Sequence, residues 1–307
     1  MEIRKAERKK SKLRLGLAGP SGSGKTYSAL QLAFGIGGKI GLIDTENGSG
    51  DLYAHLGEYD IITLQAPYTA QKYIDAIDAF EEGGYDVIII DSLSHAWSGE
   101  GGLLDKQGRI ADRTGNSYTA WRTVTPDHNA LVEAMLQSRC HIIATVRSKQ
   151  EYVMDKDEKT GKTTIKKVGL APVQREGLEY ELSIFFEIAM DHTASATKDR
   201  TRLFDGQIVK LDKKTGKKLL TWLNEGIEVP ETPREKIEIM TKIKQLYPDL
   251  VNGQIVEKIK ELTQLDPVEE NFADILTRLD AIIEERQTSD TSKKKIMSDK
   301  VAAAAAK

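Results

Sequence analysis

The chain has 307 residues, 39% of them hydrophobic and 30% charged, with a formal net charge of −3. This composition supports a sizeable core and argues against wholesale disorder, and no apolar run approaches the ~20 residues of a membrane helix. A single cysteine, Cys140, excludes a disulfide framework and fits a reducing, cytoplasmic compartment.

Residues 1–12 form a basic arm. Arg4, Lys5, Arg8, Lys9, Lys10 and Lys12, with Arg14 just beyond, face only Glu2 and Glu7. The arm lacks the apolar stretch of a secretory signal. It reads either as a solvated terminus or as a contact for nucleic acid or another subunit. Residues 13–227 read as one α/β core. Short β-branched runs at Leu13–Ala18, Ile40–Ile43, Ile61–Leu64, Val87–Ile90 and Ile142–Val146 suit strands buried on both faces. Helical stretches at Lys25–Phe34, Thr69–Glu82 and Thr125–Gln137 lie between them, which predicts a central, mostly parallel sheet flanked by helices.

Beyond Ala144 the pattern changes. Tyr152–Asp155 and Thr163–Val168 flank Lys159-Thr160-Gly161-Lys162, the signature of a hairpin. Ile184–Met190 and Ala196–Phe204 read as further strands. Residues 228–233, with Pro230 and Pro233, read as a linker. Residues 234–286 read as a small helical C-terminal domain, with helices over Arg234–Tyr247, Gly253–Leu262 and Glu269–Glu285. The Lys-rich stretch 287–307, with five alanines near its end, reads as a disordered tail.

The strongest signal is Gly19-Pro20-Ser21-Gly22-Ser23-Gly24-Lys25-Thr26, a match to G-x-x-x-x-G-K-[ST]. It follows an apolar strand and opens a helix, as a phosphate-binding loop requires. Glycines let the backbone wrap an anion, and its amides sit at the positive end of the helix. Lys25 is expected to reach the β- and γ-phosphates of ATP, and the Thr26 hydroxyl to bind Mg2+. Tyr27 joins the expected nucleotide-binding set. Val87-Ile88-Ile89-Ile90-Asp91 supplies the second part, because an aspartate ending a buried strand faces the ligand crevice. Asp91 is the expected partner of the metal.

Hydrolysis needs a group that orients water against the γ-phosphate. No acid follows Asp91 directly, since Ser92 stands there. Glu46 ends the Ile40–Thr45 run and reaches the crevice if its strand lies beside the phosphate-loop strand. The chemistry alone leaves it balanced between a catalytic base and a surface residue in the turn Glu46-Asn47-Gly48.

Leu42-Ile43-Asp44-Thr45-Glu46, Asp51-Leu52-Tyr53-Ala54 and Leu56-Gly57 resemble the segment of RecA-type recombinases that carries their catalytic glutamate. Val87–Ser92 resembles their metal-binding strand. The resemblance to the RecA-like P-loop core covers about Leu13–Phe204. It is narrower toward phage-encoded RecA-like and AAA-family ATPases of the single-strand annealing and recombination type, through Arg147-Ser148-Lys149, Lys167–Arg175 and Glu179-Tyr180-Glu181. It implies that Glu46 is the base and that Tyr53 stacks on adenine. It puts Thr145 at the γ-phosphate sensor position, although the family's usual glutamine is absent, with Arg147 a substitute or else a simple ion pair.

Lys198 and Arg200 resemble the paired cations that such subunits extend into a neighbour's ATP site, with Arg202 on the same face. Their alternative is a solvated edge strand. The trans role implies a ring or filament of identical subunits. Single-stranded DNA is the expected partner, with a single-strand-binding or annealing protein beside it, in a bacterial host cell carrying the phage or prophage gene. Two regions are candidate DNA contacts: the glycine-rich loop Ser94–Asn116, with Trp97, Arg109 and Arg113, and Arg147–Arg175, with Lys149, Lys166, Lys167 and Arg175. Basic side chains there would bind phosphate without reading sequence, and Trp97 would stack on a base. For the first loop a lid over a small substrate competes, which would make the protein a P-loop kinase. A nucleotide-switch accessory factor of replication or DNA packaging, such as a loader, is the other rival. The five histidines show no metal-ligand spacing, and Cys140 reads as a core thiol.

Overall fold

The structure is a computed structural model that describes residues 4–156, 163–228, 234–247, 250 and 254–286; over 150–156 and 163–170 it describes the backbone alone. The tail 287–307, most of the linker and the Lys159–Lys162 turn lie outside the described residues. The chain divides into two compact units, Met1–Val229 and Pro230–Lys307.

The first unit is the expected mixed α/β fold. Its elements in chain order are β1 (Arg14–Gly19), α1 (Lys25–Ile36), β2 (Ile40–Asp44), a 3-10 stretch (Ser49–Leu56), β3 (Asp60–Thr63), α2 (Ala70–Glu82) and β4 (Val87–Asp91). Then come α3 (Ser94–Ser98), α4 (Leu103–Thr114), α5 (Ser117–Gln137), β5 (His141–Lys156), β6 (Thr163–Pro172) and α6 (Leu178–Glu181). The unit closes with β7 (Ile184–Ile188), β8 (Ala194–Asp199), β9 (Ile208–Val209) and α7 (Lys213–Leu223). The sheet order is β3-β2-β4-β5-β1-β7-β8-β9, with β6 paired to β5. Strands β3 to β7 along this path are parallel; β8, β9 and β6 are antiparallel additions.

The apolar strands fill two layers because side chains alternate across a sheet. Ile88 and Ile90 of β4 face Tyr73, Ile77 and Phe80 of α2 and Leu131 and Met135 of α5. Val87 and Ile89 face Leu30 and Ala33 of α1 and Leu219 and Leu223 of α7. Helices α1 and α7 meet backbone to backbone: a Cβ on Gly35 would stand 2.2 Å from the Lys213 carbonyl, and one on Gly216 2.3 Å from that of Leu32.

Several expectations are corrected. The Glu46-bearing strand β2 does not adjoin the phosphate-loop strand β1, which sits between β5 and β7; β2 pairs instead with β4, the Asp91 strand. Chain order does not fix strand order. Strand β3 is an edge strand, partly exposed rather than buried on both faces. Ser94–Asn116 is no open loop but α3 and α4, joined across Gly99–Gly102. Helix α5 begins at Ser117, capped by Asn116, and carries Pro126 inside it. Strand β5 does not stop near Arg147 but continues to Lys156, leaving the parallel sheet to pair with β6 as a two-stranded ribbon. Strand β8 ends at Asp199, so Arg200 stands just past it and Arg202 lies in a turn at φ 59°, off the strand face.

The basic arm is pinned where it meets the core. Lys10 and Ser11 donate backbone hydrogen bonds to Ile227 and Leu223, and Ile227 donates one to Arg8. The Arg8 guanidinium lies 3.8 Å over the Trp222 ring and donates to the Trp222 carbonyl. Arg14 is buried in β1, its guanidinium spent on carbonyls at the end of α5 (Leu136, Ser138) and on Cys140.

The second unit contains α8 (Arg234–Leu246), α9 (Ile255–Thr263) and α10 (272–286). Ile239, Ile243, Ile255, Ile259, Ile275 and Leu279 form its core. Among the described residues no helix is long and apolar enough to cross a membrane.

Candidate active site

All the parallel strands present their carboxyl ends to one edge, where the chain must turn back and where α1 begins. A cleft of about 910 Å³ opens there. Ser21, Gly22, Gly24, Lys25, Thr26 and Tyr27 line it from the loop between β1 and α1; Glu46, Ser49 and Tyr53 line it from the segment after β2; Asp91 closes its floor. Gly22 and Gly24 have φ of 81° and 88°, a region glycine enters without strain. No side chain caps the first turn of α1, so its amides have no acceptor from a capping residue and present an anion site.

The Lys25 ammonium donates to the carbonyls of Gly19 and Pro20, 2.9 Å each. Burial lowers its pKa, and the nearby charges of Asp91 and Glu46 oppose that. The Thr26 hydroxyl donates to Asp91 Oδ2 at 2.6 Å. A hydroxyl and a carboxylate in contact beside a phosphate loop fit Mg2+ carried by a nucleotide, an ion that takes one or two protein oxygens plus phosphate oxygens and waters. Among the described residues no cluster of three His, Cys, Asp or Glu side chains could hold a metal independently. Three residues of the expected nucleotide set, Gly19, Ser23 and Thr145, are not among those lining the cleft. Ser23 is fully buried, packed against Gly19 at the end of β1.

Thr145 is a correction. It is fully buried, and its hydroxyl donates to Asp91 Oδ1, so it braces that carboxylate from behind and does not line the cleft. Burial raises the Asp91 pKa, against the lowering pull of these two hydroxyls and of Lys25. A carboxyl whose folded pKa is raised weakens the fold as pH climbs from the ordinary carboxylate range through the raised value, and the cost persists at neutral pH. Asp91→Asn removes it. The nucleotide-free variant is expected to melt above wild type at neutral pH. It should also lose the added stabilisation from Mg2+ and nucleotide. A lower midpoint in scanning calorimetry would contradict this reading of Asp91.

Glu46 sits at the cleft with both oxygens engaged. Oε1 accepts from Ser92 Oγ at 3.0 Å and from Arg147 Nε at 2.8 Å, and Oε2 accepts from Arg147 Nη2. Burial pushes the Glu46 pKa up, but the Arg147 hydrogen bonds and charge outweigh it and hold the carboxyl below its ordinary value. Thr45, next to it, contacts His95 Nδ1 at 2.7 Å. Arg147 therefore lines the cleft, paired with Glu46. The peptide between Asp91 and Ser92 is cis. Tyr27 and Tyr53 stand edge to face with centroids 6.4 Å apart at the cleft mouth.

The other expected residues are dispersed. Trp97 stacks on Trp121 at 5.8 Å and packs against the core, so it is no free loop residue. Arg109 is ion-paired with Asp105, and Arg113 is exposed near the end of α4. Lys149 is exposed on β5, and Arg175 is partly buried after β6; the side chains of Lys166 and Lys167 lie outside what is described. Lys198 donates to the carbonyls of Glu179 and Tyr180, and Arg200 to that of Tyr180 at 3.0 Å. Because β8 runs antiparallel to β7, Lys198 and Arg200 stand at the edge of the sheet opposite the cleft. The cleft also contains residues the sequence did not single out, including His192 and Lys210.

A family model described as AAA domain matches residues 11–221, more than half of the chain. No curated protein gives a match.

Proposed function

The chain belongs to the AAA domain family of nucleotide-hydrolysing P-loop ATPases, and on that premise we propose that it is a RecA-like ATPase, of the phage recombination and annealing type, that works on single-stranded DNA. The observation that carries the reading is the meeting of Thr26, Asp91 and Glu46 in one cleft with the uncapped start of α1. Loop amides and Lys25 bind the phosphates of ATP. Thr26 and Asp91 hold Mg2+, which supplies charge neutralisation at the phosphates when bound. Glu46 orients the attacking water, and Tyr53 with Tyr27 flanks the base. Lys198 and Arg200 are too far round the sheet to serve their own cleft, which supports a role at the cleft of another copy in a ring or filament.

The test is the ATPase rate with and without single-stranded DNA across a salt series. Turnover is expected to rise with DNA, and the gain to fade as salt rises, because cationic contacts to phosphate release counterions. Turnover indifferent to DNA at every salt concentration would remove the DNA half of the proposal. ADP formation that depends on a small metabolite would replace it with a kinase.

A further inference from the structure

The phosphate loop has a neighbour that no motif announces. Strand β7 pairs with β1, so the turn that follows β7 runs alongside the loop that follows β1. From the last residue of β7 onward, alternate residues face the successive glycines of the loop. A Cβ on Gly19 would meet the Ile188 carbonyl at 2.8 Å, one on Gly22 would meet Met190 at 3.8 Å, and one on Gly24 would meet the His192 ring at 3.1 Å. The turn is built to present that ring. The Asp191 carboxylate accepts from the Thr193 amide and hydroxyl at 3.0 and 2.7 Å, and the His192 amide donates to the Ala189 carbonyl. His192 itself is held at φ 65°, unusual for a residue with a side chain. Its Nδ1 lies 3.0 Å from the Ser23 carbonyl oxygen.

We propose that His192 is a positioning residue of the phosphate site, which sets the peptide between Ser23 and Gly24 and so aims the Gly24 amide. A carbonyl oxygen only accepts, so Nδ1 carries the proton and donates. In a trans peptide the C=O and the following N–H point in opposite directions. Fixing the Ser23 carbonyl toward His192 turns the Gly24 N–H to the far side of that peptide. The turn is thus a further wall of the cleft, which His192 also lines.

This inference rests on the nucleotide reading of the cleft, and its test separates the two. Mg2+-ADP is titrated calorimetrically into wild type, His192→Gly and His192→Asn, with steady-state ATP kinetics alongside. Glycine removes the donor and tolerates positive φ, while asparagine keeps an N–H at the same position along the side chain and also tolerates that φ. The expected result is ADP affinity weakened roughly three- to tenfold in His192→Gly, the worth of one hydrogen bond, and restored in His192→Asn. KM should rise in step with kcat little changed. ADP bound equally by His192→Gly and wild type would overturn the role of His192 and leave the cleft reading intact. An Asn variant as weak as the Gly variant would show that the donor is not what matters. Wild type that binds no ADP would overturn both.

Discussion

Lys25→Ala is expected to lower kcat/KM for ATP by roughly two to three orders of magnitude, the scale of a cation aimed at charge that develops in phosphoryl transfer. The ammonium is the one loop side chain carrying full positive charge, and it is already in the cleft, on the carbonyls of Gly19 and Pro20. Partial burial lowers its proton affinity and so raises its stake in an anionic partner. The change should leave the fold intact, because those two carbonyls lie in a loop beside an open cleft where water replaces the lost donor. Circular dichroism and steady-state turnover check the two halves together. A loss below tenfold would show that the amides of α1 carry the phosphates alone.

Glu46→Gln is the second large effect. It keeps size and keeps an acceptor for Arg147, but cannot take a proton from water. Turnover should fall about 10²–10⁴-fold, the usual contribution of a general base, while nucleotide affinity stays within a few-fold of wild type. Single-turnover kinetics with labelled ATP should find the triphosphate bound and uncut. Turnover unchanged by the substitution would remove Glu46 from the chemistry. Oε1 is shared by Ser92 and Arg147 and Oε2 is held by Arg147, three of the roughly four acceptor positions of a carboxylate. The position that remains, on Oε2, is the one from which Glu46 would align a water with the Arg147 pair intact.

Much of the cleft was legible because it is local in sequence. One motif places five lining residues, and an acid at the end of each of two apolar strands places Asp91 and the Glu46 turn. What was not legible depends on which strands are neighbours. Glu46 reaches the cleft from beside β4, not β1, and His192 reaches it only because β7 pairs with β1. A lone histidine in a turn carries no pattern of its own. Helix α7 was missed although its start is written in the chain: Asp212 and Thr215 form a reciprocal cap ahead of Leu219 and Leu223. Helices α3 and α4 read as a loop in the sequence because three glycines between them dominate the local composition. Pro126 misled in the other direction, since proline usually opens a helix and here sits within one.

The unbroken course of β5 joins the cleft to the ribbon. Thr145 and Arg147 lie on one side of the strand and grip the two acids of the cleft, and the same strand continues past Ser148 as the ribbon. Pairing with β6 begins at Ser148, one residue past the arginine that holds Glu46, so ribbon and cleft share the backbone of a single strand.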